Sequence, residues 1–159
     1  MQEDKEAKSP INLKMRRMQA DSVLSLNRVI RRTEQRVSAR LIEAGLTDIT
    51  PAQANAMMVL FQAKRPKTAS QVATALGVSE VTVARFVKSL EAGAWVERAR
   101  SPTDGRSWFL KPTQKAFDAL PDFINVSNAM MDETYAGFSI EEIELLLSII
   151  ERVRGNLHC

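Results

Sequence analysis

Thr68-Ala69-Ser70-Gln71-Val72-Ala73-Thr74-Ala75-Leu76-Gly77-Val78-Ser79-Glu80-Val81-Thr82-Val83-Ala84-Arg85-Phe86-Val87-Lys88-Ser89-Leu90-Glu91-Ala92-Gly93 is the stretch that decides the fold. It predicts two short helices, each with its own start and stop. Thr68 followed by Gln71 is a capping-box pattern, in which two orphan amides at a helix start are satisfied reciprocally. Gly77 suits the left-handed residue that closes the first helix, and Gly93 is expected to close the second in the same way. Ser79 is a good N-cap for the second helix, because its hydroxyl reaches an unsatisfied amide. Val72, Ala73, Leu76, Val78, Val83, Val87 and Leu90 fall on the faces the helices would bury against each other, with Val78 as the connector. That is a helix-turn-helix.

The second helix leaves Glu80, Thr82, Ala84, Arg85, Lys88 and Ser89 off its apolar face. Small and hydroxyl side chains at its start let a backbone approach a duplex, and Arg85 is long enough to reach a guanine edge or a phosphate. Beyond Gly93, Trp95–Arg100 alternates like a strand and Ser107–Lys111 can return beside it. The turn-rich Ser101-Pro102-Thr103-Asp104-Gly105-Arg106 between them makes a hairpin with a basic tip. A helix-turn-helix followed by such a hairpin is a winged helix.

Leu76-Gly77-Val78-Ser79, Thr82-Val83, Arg85, Val87, Leu90-Glu91, Gly93, Val96-Glu97-Arg98, Asp104-Gly105-Arg106-Ser107 and Leu110-Lys111-Pro112-Thr113 together resemble a MarR-family transcriptional regulator. The Asp-x-Arg-Ser of the wing is the most specific part, since a bare helix-turn-helix occurs in many unrelated folds. The likeness covers roughly residues 20 to 155 in layout, with its motifs concentrated between 68 and 113. It implies a mainly α (α+β) fold, a winged helix-turn-helix whose N- and C-terminal helices form a dimerisation arm. By the same resemblance Arg106 enters or flanks the minor groove and Asp104 braces the wing. Family wings often carry a second basic residue where this chain has Gly105, a departure that would weaken phosphate contacts at the tip.

The whole chain agrees with that class. Its 159 residues fit one core with a dimerisation extension, and an apolar share of 45% is ordinary for a soluble protein. No apolar run approaches membrane-spanning length, and Met1-Gln2-Glu3-Asp4-Lys5-Glu6 is unlike a secretory signal, so a cytoplasmic protein with no membrane partner is expected. The net charge of +3 is unevenly spread. Residues 64–112 carry a net +5 and residues 113–159 a net −5, so the basic part coincides with the proposed reading surface.

Along the chain, residues 1–8 read as a flexible tail, 9–46 and 113–159 as a helical dimerisation region, and 47–112 as the DNA-binding region. Ser9-Pro10 suits the start of a long helix reaching about Ala44, with Gly45 after it. Its Val23, Leu26, Val29, Ile30, Val37, Leu41 and Ile42 follow helical spacing, while Arg28, Arg32, Arg36 and Arg40 form a separate stripe suited to a partner's carboxylates. Thr50-Pro51 starts the next helix, and Lys64-Arg65-Pro66-Lys67 ends it with a turn that serves either a phosphate backbone or the helix dipole. Thr113 caps a further helix, which Pro121 should kink or break. Ser139 with Glu142 opens a last helix whose wide apolar arc wants a partner.

No enzyme inventory is present in the sequence. The single His158 and single Cys159 fall in a tail expected to fray, so no nucleophile has a histidine base in an ordered segment. No Gly-rich phosphate loop occurs. Asp132-Glu133 and Glu141-Glu142-Glu144 read as helix-dipole partners rather than a cation site, and Cys159 lacks the electropositive setting of a redox sensor. No catalytic residue, metal or cofactor is expected. The resemblance implies a homodimeric repressor on a pseudo-palindromic operator, released by a small aromatic or anionic ligand held between dimer arm and DNA module. Ser79, Glu80, Thr82, Arg85, Lys88, Asp104 and Arg106 are its DNA-binding candidates. Met18, Met57, Met58, Phe61, Trp108, Phe117 and Phe123 are its pocket candidates, each equally suited to plain core. The competing reading is a winged-helix protein-interaction module without DNA binding, favoured by Glu80, whose carboxylate repels phosphate.

Overall fold

A computed structural model describes residues 12–100 and 108–157. Seven helices and three strands follow in the order α1 (Leu13–Glu43), α2 (Pro51–Phe61), β1 (Lys67–Thr68), α3 (Ala69–Leu76), α4 (Glu80–Ala92), β2 (Val96–Arg100), β3 (Trp108–Pro112), α5 (Gln114–Asp118), α6 (Leu120–Thr134) and α7 (Ile140–Asn156) among the described residues. The predicted start at Ser9-Pro10, the tail 1–8, the wing tip with Asp104 and Arg106, and His158 and Cys159 lie outside the described residues. Within them, Asn12 supplies the first cap, its Oδ1 accepting the Met15 amide at 3.0 Å.

Backbone contacts divide the chain into residues 1–35 and residues 36–159. In the first unit, Val23, Leu26, Val29 and Ile30 stay more than half exposed along α1. The second unit holds the core. Leu41 and Met57 are fully buried, and Val72, Val83, Leu90, Trp95, Leu110 and Phe123 are nearly so. Burying such side chains contributes roughly 1.5–3 kcal/mol each before entropy is charged against it.

Local rules set most of the boundaries. Thr50 with Gln53, Thr68 with Gln71 and Ser139 with Glu142 all form complete capping boxes, and Gly77 closes α3 in the left-handed region at φ 65°. Pro121 does break its helix: α5 ends at Asp118 and α6 restarts at Leu120, with the proline in its first turn where no amide partner is needed.

Three expectations need correction. Gly93 sits at φ −82°, and the left-handed residue is Ala94 at φ 57°. Glycine is required at 93 for space, because a Cβ there would lie 2.7 Å from Trp95 Cδ1. Val78, in the connector between α3 and α4, is 39% exposed rather than buried. Finally, the hairpin is not alone. β1 adds to β3, with Lys67 opposite Leu110 and Thr68 opposite Phe109, giving an antiparallel sheet of order β1-β3-β2. Two residues of strand carry no periodic signal, so only the pairing reveals them.

Candidate nucleic-acid interface

Helices α3 and α4 pack through Val72, Ala73, Val83, Val87 and Leu90, all buried, with Leu76 and Phe86 half-buried beside them. This packing turns the opposite face of α4 to solvent. Ser79, Glu80, Arg85 and Lys88 are exposed and Thr82 is half-buried. The polar candidates, however, are not equivalent. Ser79 Oγ accepts the Thr82 amide at 3.2 Å and shares a 2.9 Å hydrogen bond with the Thr82 hydroxyl. Glu80 Oε1 accepts the Ser70 hydroxyl at 2.7 Å, which holds its carboxylate toward α3. Arg85 and Lys88 make neither an ion pair nor a side-chain hydrogen bond among the described residues. They are the cations left available to a partner.

One side chain that periodicity did not single out belongs to the same face. Val81 is 81% exposed, on the second residue of α4. Its exposure was not legible locally, because a valine between Glu80 and Thr82 reads as one more apolar position of a short helix.

The base of the wing is tied down. Arg98 Nε donates to Glu91 Oε1 at 2.8 Å, joining β2 to α4. The Arg100 guanidinium lies 5.2 Å from the centre of the Trp108 ring, a cation–π contact across the two strands. Arg98 thereby serves the fold, and Arg100 is held against β3.

A second cluster fixes the junction between α4 and β2. Trp95 Nε1 donates to Asp48 Oδ2 at 2.8 Å, and Lys115 Nζ sits 4.0 Å over the Trp95 ring while donating to the Gly93 carbonyl at 2.7 Å. Thr113 Oγ1 donates to the Ala94 carbonyl at 2.7 Å. Burial alone would push the Asp48 carboxyl up. The Trp95 hydrogen bond, its own backbone amide and the charge of Lys115 outweigh that and hold it below the ordinary 3.8. Helix α4 is thus anchored at its C-terminal end by groups remote from its exposed face.

Among the arginine stripe, Arg36 and Arg40 bond Glu133 of α6 in the same chain, at 3.2 and 2.8 Å. The Arg40 hydrogen bond is the main reason that the Glu133 carboxyl lies below its usual value, with the charges of both arginines adding to it.

A cavity of 370 Å³ opens beside the module, with Leu60, Phe61, Leu110, Pro112 and Phe117 as its apolar lining. Lys64, Arg65, Lys67 and Lys111 also line it, and none of the four makes an ion pair among the described residues. Of the pocket candidates, Phe61 and Phe117 therefore meet at one cavity, their rings 5.8 Å apart. Met57 and Phe123 are buried in the core, Met58 packs against it, Trp108 lies under Arg100, and Met18 is exposed on α1. The cations were visible in the sequence as a basic turn. What sequence could not supply was Lys111 arriving beside them from β3.

No helix among the described residues is long and apolar enough to cross a membrane, and none of their His, Cys, Asp and Glu side chains cluster as metal ligands would.

Residues 47–107 match the family model described as MarR family. The uncharacterized HTH-type transcriptional regulator YdgJ of Bacillus subtilis (strain 168) is 25% identical over 112 residues, spanning 70% of this chain and 68% of that protein. In architecture the chain is similar to S. aureus MepR in its complex with DNA, at TM-score 0.76 and 18% identity over 84% of this chain and 96% of that one. It is likewise similar to CouR from Rhodococcus jostii RHA1 bound to p-coumaroyl-CoA, at TM-score 0.73 and 16% identity over 84% and 91% of the two chains.

Proposed function

We propose that this chain, whose residues 47–107 match the MarR family model, is a sequence-specific DNA-binding regulator of that family, a homodimeric repressor acting in the cytoplasm on a pseudo-palindromic operator. The observation that carries this reading is α4, which turns Arg85 and Lys88 outward, exposed and unpaired among the described residues. Two such helices enter successive major grooves, with half-sites about 10 bp apart centre to centre. Arg85 addresses a base edge and Lys88 the backbone. Ser79 and Thr82 hold the first turn of the helix at the groove. Arg106 works the minor groove, with Asp104 bracing it. Residues 47–112 form the DNA-binding region, flanked by a helical dimerisation region, and the chain has no catalytic role.

The Ser70 hydroxyl on Glu80 weakens the competing reading of a protein-interaction module, because the carboxylate has an acceptor role inside the helix-turn-helix. Selection from random duplex DNA, run with the wild type and with an Arg85→Ala, Arg106→Ala double variant, tests the proposal. An inverted repeat enriched by the wild type and lost by the variant is expected. No enrichment at low salt would transfer the weight to the protein-interaction module. On the selected duplex, Arg106→Ala should flatten the salt dependence of binding by about one phosphate contact per subunit. An unchanged slope removes Arg106 from the contacts.

For the effector, the cavity between α2, β3 and α5 is the site we favour. An apolar lining with Phe61 and Phe117 suits an aromatic body, and four cations without an ion pair among the described residues suit an anionic group. CouR with p-coumaroyl-CoA, a large anionic thioester, lends this reading analogy.

A further inference from the structure

The hydroxyls at the start of α4 are engaged with one another and Glu80 is held by Ser70, so the polar residues nearest a base edge are largely occupied within the protein. What projects from the first turns of the helix is different in kind. Val81, Ala84, Arg85 and Lys88 recur at helical spacing and are all exposed. Val81, at 81%, is more exposed than any other large apolar side chain among the described residues. It lies at the N-terminal end of the helix, the part that meets base edges when a helix-turn-helix docks. A valine in a helix is held almost entirely in one rotamer, so ordering it on contact costs little entropy. The major groove presents one strongly apolar group, the 5-methyl of thymine.

We propose that Val81 reads a thymine methyl, one helical turn from the guanine edge addressed by Arg85. The inference rests on the DNA-binding reading above and adds a sequence preference to it. One turn advances 5.4 Å, and successive base pairs are about 3.4 Å apart, so the thymine stands roughly one to two base pairs from the guanine in each half-site.

The test uses the full-length protein and the duplex recovered by selection. Each thymine of the half-site is replaced in turn by deoxyuridine, which removes only the methyl, and affinity is measured for the wild type and for Val81→Ala at fixed salt. One replacement is expected to weaken the wild type by about fourfold per half-site, the value of burying one methyl-sized group. Val81→Ala should bind the thymine and deoxyuridine duplexes equally. Val81 is exposed, so this variant keeps the wild-type unfolding temperature, and a lost methyl preference cannot be ascribed to a damaged fold. If no replacement weakens the wild type, if Val81→Ala keeps the preference, or if the sensitive thymine is more than two base pairs from a guanine, the assignment is overturned while the regulator reading stands. If selection enriches no duplex, both readings fail, and that result appears before any thymine is replaced.

Discussion

Glycine 93 shows how one residue can be required for a reason its backbone angle conceals. Its φ of −82° is open to any residue, yet a Cβ there would meet Trp95 Cδ1 at 2.7 Å and Asp48 Oδ2 at 3.1 Å. Trp95 is buried and bonded to Asp48, so it cannot step aside freely. Gly93→Ala is expected to lower stability by about 1–3 kcal/mol, as overpacking does. A urea midpoint equal to that of the wild type would show that the tryptophan yields. Asp48 makes a prediction about pH. Its carboxyl is depressed in the folded chain, so its contribution is fully present above the ordinary 3.8 and is lost as pH falls through the lower folded value. Asp48→Asn should therefore be less stable than the wild type at neutral pH, with the gap closing in acid below that value. Thermal unfolding at both pH values checks this, and a gap that widens in acid contradicts it.

At the scale of elements, α3 and α4 behave as units defined at their ends. Thr68 Oγ1 accepts the Gln71 amide at 3.3 Å while Gln71 Oε1 accepts the Thr68 amide at 3.0 Å. Such reciprocity explains why an eight-residue helix, too short to persist alone, starts at a defined residue. Thr68→Ala should cost about 0.5–2 kcal/mol, and Thr68→Ser should recover most of it. Equal chemical denaturation curves for Thr68→Ala and the wild type would mean that β1 pairing, not the cap, fixes this start. The break at Ala119 has the same local origin, since Pro121 tolerates a first turn but not a helix interior.

At the scale of the molecule, long runs of exposed apolar side chains lie on α1 and α7. No residue of α7 is buried, and Ile140, Leu145, Leu147 and Val153 are all roughly half exposed or more. On α1, Leu13, Val23, Leu26 and Ile30 are exposed to similar degrees. Surfaces of this kind mark an interface, and in the proposed dimer they are covered by the second copy. Leu147→Glu is expected to give a folded monomer with weakened operator binding, because the substitution disturbs no buried contact within the chain. Light scattering separates the outcomes: a variant that remains dimeric excludes α7 from the interface.

Features that depend on neighbours three or four residues apart are legible in the sequence. Thr68 with Gln71, Ser79, Gly77, Thr113, Pro121 and Ser139 with Glu142 marked the helix ends correctly because a cap is a local hydrogen bond. Val72, Val83 and Val87 mark the buried faces of α3 and α4 for the same reason of spacing. Which side chains of α4 remain available depends instead on long-range packing. Ser70 meets Glu80 across ten residues, and Asp48 meets Trp95 across forty-seven. It also decided that Val78 and Val81 face solvent, that Lys67 and Thr68 pair with β3, and that Lys111 joins Lys64 and Arg65 around one cavity. Burial and pairing depend on what the chain brings from a distance, and no local pattern encodes which element will arrive.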